Sequence, residues 1–233
     1  MLRRGFLLLL PVFLFAQAAE VEITAEPRHH LVLANDQVRV FNVEIPPRSE
    51  STMHWHRHDY VAIILGDSQV SNTVKGKDPA TINFHDGDTL FLEAGFAHSA
   101  RNPSDHPFRS VTVEFLQDDK LRHAPAHWDE DRGLNILHGG TQEILFVKDG
   151  VRASEFELQP GGVVPLHHHI GPHLLIAVSD LDIRSDVAGQ GPMSGPMPGH
   201  FKSGDAKWLP GGYSHTITNT GAHPAKFVTL EFP

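Results

Sequence analysis

Apolar residues along this chain come in short runs that are separated by turn-forming residues. Runs rich in β-branched and aromatic side chains span 38–45, 61–65, 89–92 and 110–115, with Gly, Pro, Asp and Asn between them. Such spacing is typical of strands in an antiparallel sandwich or barrel. Because no segment shows a sustained helical period with caps, the pattern predicts an all-β protein.

The same pattern occurs twice. Residues 36–67 align without a gap with 149–180 at an offset of 113, and residues 87–115 align with 204–232 at an offset of 117. In the second pair of blocks 12 of 29 positions are identical, whereas unrelated sequences agree at roughly one position in twenty. The chain is therefore an internal duplication. We predict one domain over 28–116, a polar connector over 117–142 and a second domain over 143–233.

The second copy has four extra residues between its two aligned blocks. They fall in the stretch 188–199, which is rich in Gly, Pro and Met. This composition predicts a mobile loop there rather than a strand.

The first residues have the features of a secretory signal peptide. Arg3 and Arg4 precede an apolar run over 5–15, and Ala16-Gln17-Ala18 supplies small residues for cleavage after Ala18 or Ala19. A membrane anchor is the competing interpretation, but the run contains Pro11 and is shorter than the roughly 20 residues that a span needs. We expect residues 1–18 to be removed and the protein to be periplasmic or secreted, with no membrane span after cleavage.

Charge and cysteine content narrow the chemistry. The chain has 28 acidic against 19 basic residues, a formal net charge of −9, so nucleic acid is an unfavourable partner. It has no cysteine, which excludes thiolate metal sites and thiol nucleophiles. A metal here would have to be held by nitrogen and oxygen.

Histidines are the residues that the two copies share most conspicuously. Residues two apart in a strand point to the same face, so His54 and His56 project together, as do His167 and His169. The later blocks supply His98 and His215. Two imidazoles on one face and a third from a distant strand can surround a metal cation.

At these residues the chain resembles the cupin superfamily, whose motifs are G-x5-H-x-H-x3,4-E-x6-G and G-x5-P-x-G-x2-H-x3-N. The segment from Gly161 to His169 and the complete second motif from Gly204 to Asn219 match, and the first copy matches with Glu93 in place of the proline. The resemblance covers nearly the whole chain after the signal peptide, twice. It implies a bicupin, that is, two tandem jelly-roll barrels that can each hold one metal ion.

The resemblance also implies the ligands. In the first copy they are His54, His56 and His98; in the second they are His167, His169, His173 and His215. The family's glutamate is replaced by Tyr60 in the first copy and by His173 in the second. Tyr60 is assigned as the candidate catalytic residue, with an axial ligand or a packed aromatic as the alternatives.

Loss of both glutamates argues against bicupin oxalate decarboxylase chemistry, although His54-Trp55-His56 is locally similar to that group. Three histidines with open positions resemble the sites of some non-haem iron dioxygenases in the superfamily. We therefore expect a dioxygenase acting on a small anionic or enolisable molecule. Iron is the preferred divalent transition metal, with Ni, Zn, Cu or Mn as alternatives. Ligand histidines must be neutral, so metal occupancy is expected to fall below roughly pH 6.

Two other functions stay open. One is a redox-neutral isomerase or lyase with Tyr60 as the base, and the other is a non-catalytic periplasmic protein that binds metal or a small ligand. Either a monomer or a homodimer is compatible with the sequence.

The remaining candidates receive lesser roles. We expect Glu93 to face solvent, His168 to point away from its neighbours, and Asn102 and Asn219 to support turns. His58 is either at the barrel mouth or plainly exposed. Histidines without ligand spacing are predicted to be surface residues; they are His29, His30, His123, His127 and His138.

Overall fold

The structure is a computed structural model that describes residues 20–123, 137–190 and 194–233. The predicted signal peptide and His127 lie outside the described residues. Within them, no helix is long and apolar enough to cross a membrane.

The first half, residues 20–116, is built from strands β1 to β10, with a 3-10 turn at Ile23–Ala25. The strands are β1 Val21–Glu22, β2 His29–Ala34, β3 Val38–Ile45, β4 His54–His56, β5 Tyr60–Ile64, β6 Ser68–Val74, β7 Ala80–Phe84, β8 Thr89–Leu92, β9 Phe96–Arg101 and β10 Phe108–Phe115. They form two sheets in the orders β1-β4-β9-β6-β7 and β2-β3-β10-β5-β8. A short helix, α1 Asp118–Arg122, follows.

The second half, residues 137–233, repeats this topology. Its strands are β11 His138–Lys148, β12 Val151–His169, β13 His173–Ala177, β14 Leu181–Val187, β15 Gly195–Phe201, β16 Ala206–Leu209, β17 Tyr213–Asn219 and β18 Ala225–Glu231. The long strand β12 covers the counterparts of both β3 and β4. It pairs with β18 as β3 pairs with β10, and with β17 as β4 pairs with β9. The curled, almost entirely β architecture confirms the predicted jelly-roll fold class.

The predicted loop over 188–199 is wrong for its last part. Residues 195–199 begin β15, which pairs antiparallel with β14 from Gly195 opposite Val187 to Phe201 opposite Leu181. β15 is the edge strand of its sheet, and an edge strand tolerates prolines such as Pro196 and Pro198, whose missing N–H groups would break a central ladder. The predicted domain boundaries remain predictions, although β11 starts at His138, inside the stretch assigned to the connector.

The two halves pack against each other through one apolar core. Val38 and Val113 from the first half belong to the same buried cluster as Val151 and Leu230 from the second. Each half also has its own cluster inside its barrel, for example around Ile64 in the first. Burying side chains between the halves stabilises their arrangement by about 1.5–3 kcal/mol per large aliphatic residue. The two barrels are therefore held in a defined orientation.

Candidate functional site

Three histidines meet inside the first barrel. His54 lies directly opposite His98 in the β4–β9 pair, and His56 stands two residues further along the same face of β4. One ring nitrogen from each of the three lies within 4.8 Å of the others. The Nε2 atoms of His56 and His98 are 3.0 Å apart. The structure thus brings together the three residues that the sequence singled out.

Hydrogen bonds orient two of these rings. The Nδ1–H of His54 donates to the carbonyl oxygen of Thr52 at 2.8 Å, and Nδ1 of His98 lies 2.6 Å from Oδ1 of Asn72. With the proton on Nδ1, each ring presents the lone pair of Nε2 to the centre of the cluster. Nε2 of His54 is buried and has no hydrogen-bond partner among the described residues. An orphaned buried nitrogen of this kind is what a metal ligand looks like without its ion.

A turn glycine fixes the end of β4. Gly95 has a φ of 96°, and its N–H donates to the carbonyl oxygen of His56 at 2.9 Å. In the second barrel Gly212, with a φ of 82°, makes the same bond to His169 at 2.7 Å. Because a side chain is strained at such positive φ values, the glycine of the motif is required by this turn.

Burial keeps the first triad neutral. It lowers the pKa of His54 to about 4 and that of His98 to about 3, and it also lowers the pKa of His56. In each case the charged ring would lose its hydration, and neighbouring histidines add repulsion. Protons therefore compete with a metal for these ring nitrogens more weakly than they would at an exposed histidine. The expected loss of metal below roughly pH 6 stays a prediction.

The second barrel holds a matching triad of His167, His169 and His215, whose ring nitrogens also lie within 4.8 Å of one another. Nε2 of His215 lies 3.0 Å from Nε2 of His167 and 3.1 Å from Nε2 of His169. Burial lowers the pKa of His167 to about 4 and that of His215 to about 2. Both rings are neutral near pH 7.

Every ring of the second triad has an outer partner. Nδ1 of His167 donates to the Pro165 carbonyl oxygen at 2.8 Å, and Nδ1 of His215 lies 2.7 Å from the Ser185 hydroxyl. Nδ1 of His169 lies 2.9 Å from Oε1 of Glu231. Such partners fix ring orientation, and a carboxylate also makes the imidazole a stronger donor to a metal.

Glu231 is in turn held by Arg152, whose Nε donates to Oε2 at 2.7 Å. Burial alone would raise the pKa of Glu231, but the hydrogen bond to His169 and the Arg152 charge outweigh it and lower the pKa to about 2. Sequence reasoning missed this pair. The signal was available, because Arg39 and Glu114 occupy the aligned positions of the first copy.

The nitrogen spacing tests whether a metal fits. With bonds of roughly 2.1 Å, two donors at right angles lie about 3.0 Å apart, whereas tetrahedral donors lie about 3.4 Å apart. The separation of 3.0 Å between His56 and His98, and those of 3.0–3.1 Å from His215 to His167 and His169, are short enough for each pair of nitrogens to bind one metal ion. The three donors of either triad would leave a bound ion with positions for other ligands.

Tyr60 and His173 stand at equivalent places, but neither belongs to a triad. Tyr60 stacks on His56 with ring centroids 3.9 Å apart, and His173 stacks on His169 at 3.8 Å. The hydroxyl of Tyr213 lies 3.4 Å from Nε2 of His173. Parallel stacking places both rings beside a triad histidine rather than around its centre. The assignments of His173 as a ligand and of Tyr60 as catalytic stay predictions.

The two barrels differ in the volume of the cavity beside each triad. The first triad opens onto a cavity of about 140 Å³, lined mainly by apolar side chains such as Val70, Phe84 and Leu92. The cavity beside the second triad measures about 30 Å³. An apolar cavity of about 150 Å³ can bind benzene, whereas about 30 Å³ corresponds to one water. Of these two cavities, the first has the volume of a small organic molecule.

The prediction that His29 is a surface residue is wrong. Its side chain is 6% exposed, its ring lies 4.6 Å from that of His54, and it lines the first cavity. Nδ1 of His29 lies 2.7 Å from Oε2 of the buried Glu26. Sequence spacing missed His29 because β2 is far from the histidine motifs along the chain and reaches the site only through its pairing with β3.

The other residues singled out in the sequence lie largely where they were predicted to lie. Glu93 faces solvent beside Lys148 and His168 is exposed. The buried amides of Asn102 and Asn219 hold turns through backbone carbonyl oxygens. His58 is partly exposed near Asp118. The exposed histidines include His30, His123 and His138.

Neither protein-family models nor curated proteins give a match to this sequence. Solved structures, in contrast, do match this chain. An oxalate decarboxylase of Lactobacillus farciminis in complex with formate is 18% identical, with a TM-score of 0.60 over 91% of this chain and 85% of that chain. Bacillus subtilis oxalate decarboxylase at pH 4.6 is 16% identical, with a TM-score of 0.60 over 84% and 68%.

A further structure of the Bacillus subtilis enzyme, which concerns its Mn(II) centres, is 14% identical, with a TM-score of 0.59 over 91% of this chain and 76% of that chain. Identities this low establish a similar fold and nothing finer. The fold therefore supports the cupin resemblance. Within this fold, each of the two histidine triads could hold a metal ion.

Proposed function

We propose that this chain is a metal-dependent dioxygenase whose catalytic centre is the first triad, with iron as the metal. The observation that carries the proposal is the opening of the neutral triad of His54, His56 and His98 onto an apolar cavity of about 140 Å³. When bound, Fe(II) would supply Lewis acidity and the ability to react with O₂. The protein supplies three nitrogen donors, a site for the substrate and exclusion of water.

The side chains that line the first cavity indicate what kind of substrate it would bind. They are mostly hydrocarbon, with a few polar groups such as Ser51, Ser110 and Thr112. Neither Lys nor Arg occurs among the described residues that line the cavity. A small molecule with one oxygen-bearing end for the metal and one apolar end fits these walls. Oxalate has two carboxylates and no hydrocarbon, so its second charge would be buried without a counter-ion.

Tyr60 has a defined part in this proposal. Burial raises the pKa of its hydroxyl above the usual value of 10, and the nearby Glu114 carboxyl adds to the effect. The phenol is therefore protonated at any working pH. It lines the cavity while stacked on His56, so it can donate a hydrogen bond to a substrate oxygen.

We assign the second barrel a supporting role. Its triad is oriented by three outer hydrogen bonds but has space for about one water. A metal there would add binding free energy to the folded state. The export of the protein to the periplasm or medium belongs to the same proposal, and the signal-peptide features of residues 1–18 support it.

The test combines metal analysis with oxygen uptake. Mature protein, His98→Ala and His215→Ala are compared for metal content, and each iron-loaded protein is offered catechol, acetylacetone, 2-oxobutyrate and a flavonol in an oxygen electrode. We expect uptake with one of the small compounds, none with the oversized flavonol, loss of uptake in His98→Ala and its retention in His215→Ala.

Absence of uptake with the whole panel would refute the dioxygenase proposal. If the metal were still held, a binding protein would be the remaining function. Metal content unchanged in a double variant of His98 and His215 would remove the metal centre itself.

A further inference from the structure

A histidine outside the triad stands in the first cavity. His29 lies on β2 opposite Val43, and its ring is 4.6 Å from that of His54 and 6.4 Å from that of His56. Its nitrogens are not part of the group that lies within 4.8 Å. His29 thus borders the candidate metal centre and lines the same cavity without joining the ligand set.

The carboxylate of Glu26 fixes this ring. Glu26 is 2% exposed and accepts hydrogen bonds from Nδ1 of His29 at 2.7 Å, from the N–H of Arg28 at 2.7 Å and from the N–H of Thr52 at 2.9 Å. Burial would raise the Glu26 pKa, but these bonds outweigh it and lower the pKa to about 2. An ionised carboxylate only accepts. The Nδ1–H of His29 is therefore directed at the carboxylate, and Nε2 is the ring nitrogen left for another group in the cavity.

The second barrel has a different residue at the matching place. Gln142 lies on β11 opposite Phe156, which aligns with Val43 in the duplication, and it lines the small second cavity. The side-chain amide of glutamine has no basic nitrogen, whereas an imidazole has one. The basic side chain is thus found in the barrel with the larger cavity.

We propose that the Glu26–His29 pair is the proton acceptor for a substrate bound in the first cavity, which makes His29 a catalytic residue. The inference rests on the proposed function of this site. In the step, a C–H bond next to a substrate carbonyl breaks and its proton bonds to Nε2 of His29. The electron pair forms a carbon–carbon double bond, and the carbonyl oxygen becomes an enolate. Glu26 stabilises the resulting imidazolium, as the carboxylate does in a Ser-His-Asp triad. No oxidant takes part.

The experiment isolates this step from oxygen chemistry. Iron-loaded wild type, His29→Gln and His30→Gln are incubated under argon in D₂O with 2-oxobutyrate, and loss of the C3 hydrogen signal is followed by proton NMR. His29→Gln recreates the residue of the second barrel. His30→Gln is the matched control, because His30 is the next residue of β2, is exposed and points to the other face.

We expect wild type and His30→Gln to exchange the hydrogen at the same rate and His29→Gln to be slower by about 100-fold or more. Iron content and the calorimetric Kd for 2-oxobutyrate should change by less than about threefold in His29→Gln, because a base acts after binding. Equal exchange in wild type and His29→Gln would overturn the proposal. Loss of iron from His29→Gln would do so too, as would wild type that exchanges no faster than buffer.

The outcomes separate this inference from the proposed function. Exchange under argon without O₂ uptake in air would refute the dioxygenase and leave the role of His29 intact. Uptake of O₂ together with unchanged exchange in His29→Gln would support the dioxygenase and refute the base.

Discussion

Glu231→Gln is the substitution that most directly tests how the second triad is held. Glu231 accepts a hydrogen bond from His169 and pairs with the buried Arg152. Glutamine keeps the size of the side chain but removes its charge. The variant should therefore weaken both the metal site and the folded protein, by amounts that can be worked out separately.

The stability cost comes from Arg152. Its side chain is 8% exposed, and loss of a buried ionic partner costs about 3–5 kcal/mol. Because the glutamine oxygen can still accept a hydrogen bond, we expect about 3 kcal/mol. In a chain of this size that lowers the Tm by roughly 6–12 °C.

The expected loss of metal affinity comes from His169, which would no longer have a carboxylate partner. Loss of an outer carboxylate partner reduces metal affinity by about 10- to 100-fold. The assay is a metal titration of the apo protein followed by calorimetry, in which the two sites are assigned with His98→Ala and His215→Ala. Only the second site should weaken.

The duplication supplies the control. Glu114 aligns with Glu231 and pairs with Arg39 at 2.9 Å. Among the described residues, however, Nδ1 of His56 has no hydrogen-bond partner. Glu114→Gln should therefore lower stability and leave the metal affinity of the first site nearly unchanged. If both substitutions weakened their own sites equally, the His169–Glu231 hydrogen bond would not be the cause.

Two further predictions concern stability. The metal-free protein should lose stability as the pH falls from 6.5 to 4.5. The pKa values of His54 (about 4) and His98 (about 3) in the folded protein lie below the value of about 6.5 in the unfolded chain. The unfolded state therefore binds more protons in this range, and each histidine lowers the free energy of unfolding by about 2 kcal/mol. Thermal denaturation across this range measures the effect, and a flat Tm would contradict it. Asn219→Ala should lower the free energy of unfolding by about 2–3 kcal/mol, because the carbonyl oxygens of Leu158 and His223 lose their hydrogen-bond donor. Urea denaturation measures this loss. Asn72→Ala is the comparison variant, because the Asn72 side chain bonds the His98 ring and not a backbone carbonyl.

Local patterns predicted much of the fold. Strand alternation places His54 and His56 on one face whatever the surroundings, and the internal alignment assigns His98 and His215 to equivalent strands. The loop assigned to 188–199 was wrong in part because composition does not reveal that the segment pairs with β14 as an edge strand. Edge pairing depends on a partner far away in the chain, so a local pattern does not contain it.

The candidate site was predicted unevenly for the same reason. His29 has no motif around it, and it reaches the first triad only because β2 pairs with β3. Glu231 stands near the end of the chain and reaches His169 across the β12–β18 pair. Such contacts are set by strand register, which is a property of the folded sheet.

The sequence by itself determined the all-β class and the duplication, and its resemblance to a known family implied the histidines of both triads, because periodicity, repeats and spaced motifs can be read along a chain without its fold. Only the tertiary structure decided that the barrels differ in what they can hold. The first triad faces about 140 Å³ and the second about 30 Å³. Cavity volume results from how side chains of many strands pack together, and no single segment of the sequence specifies it.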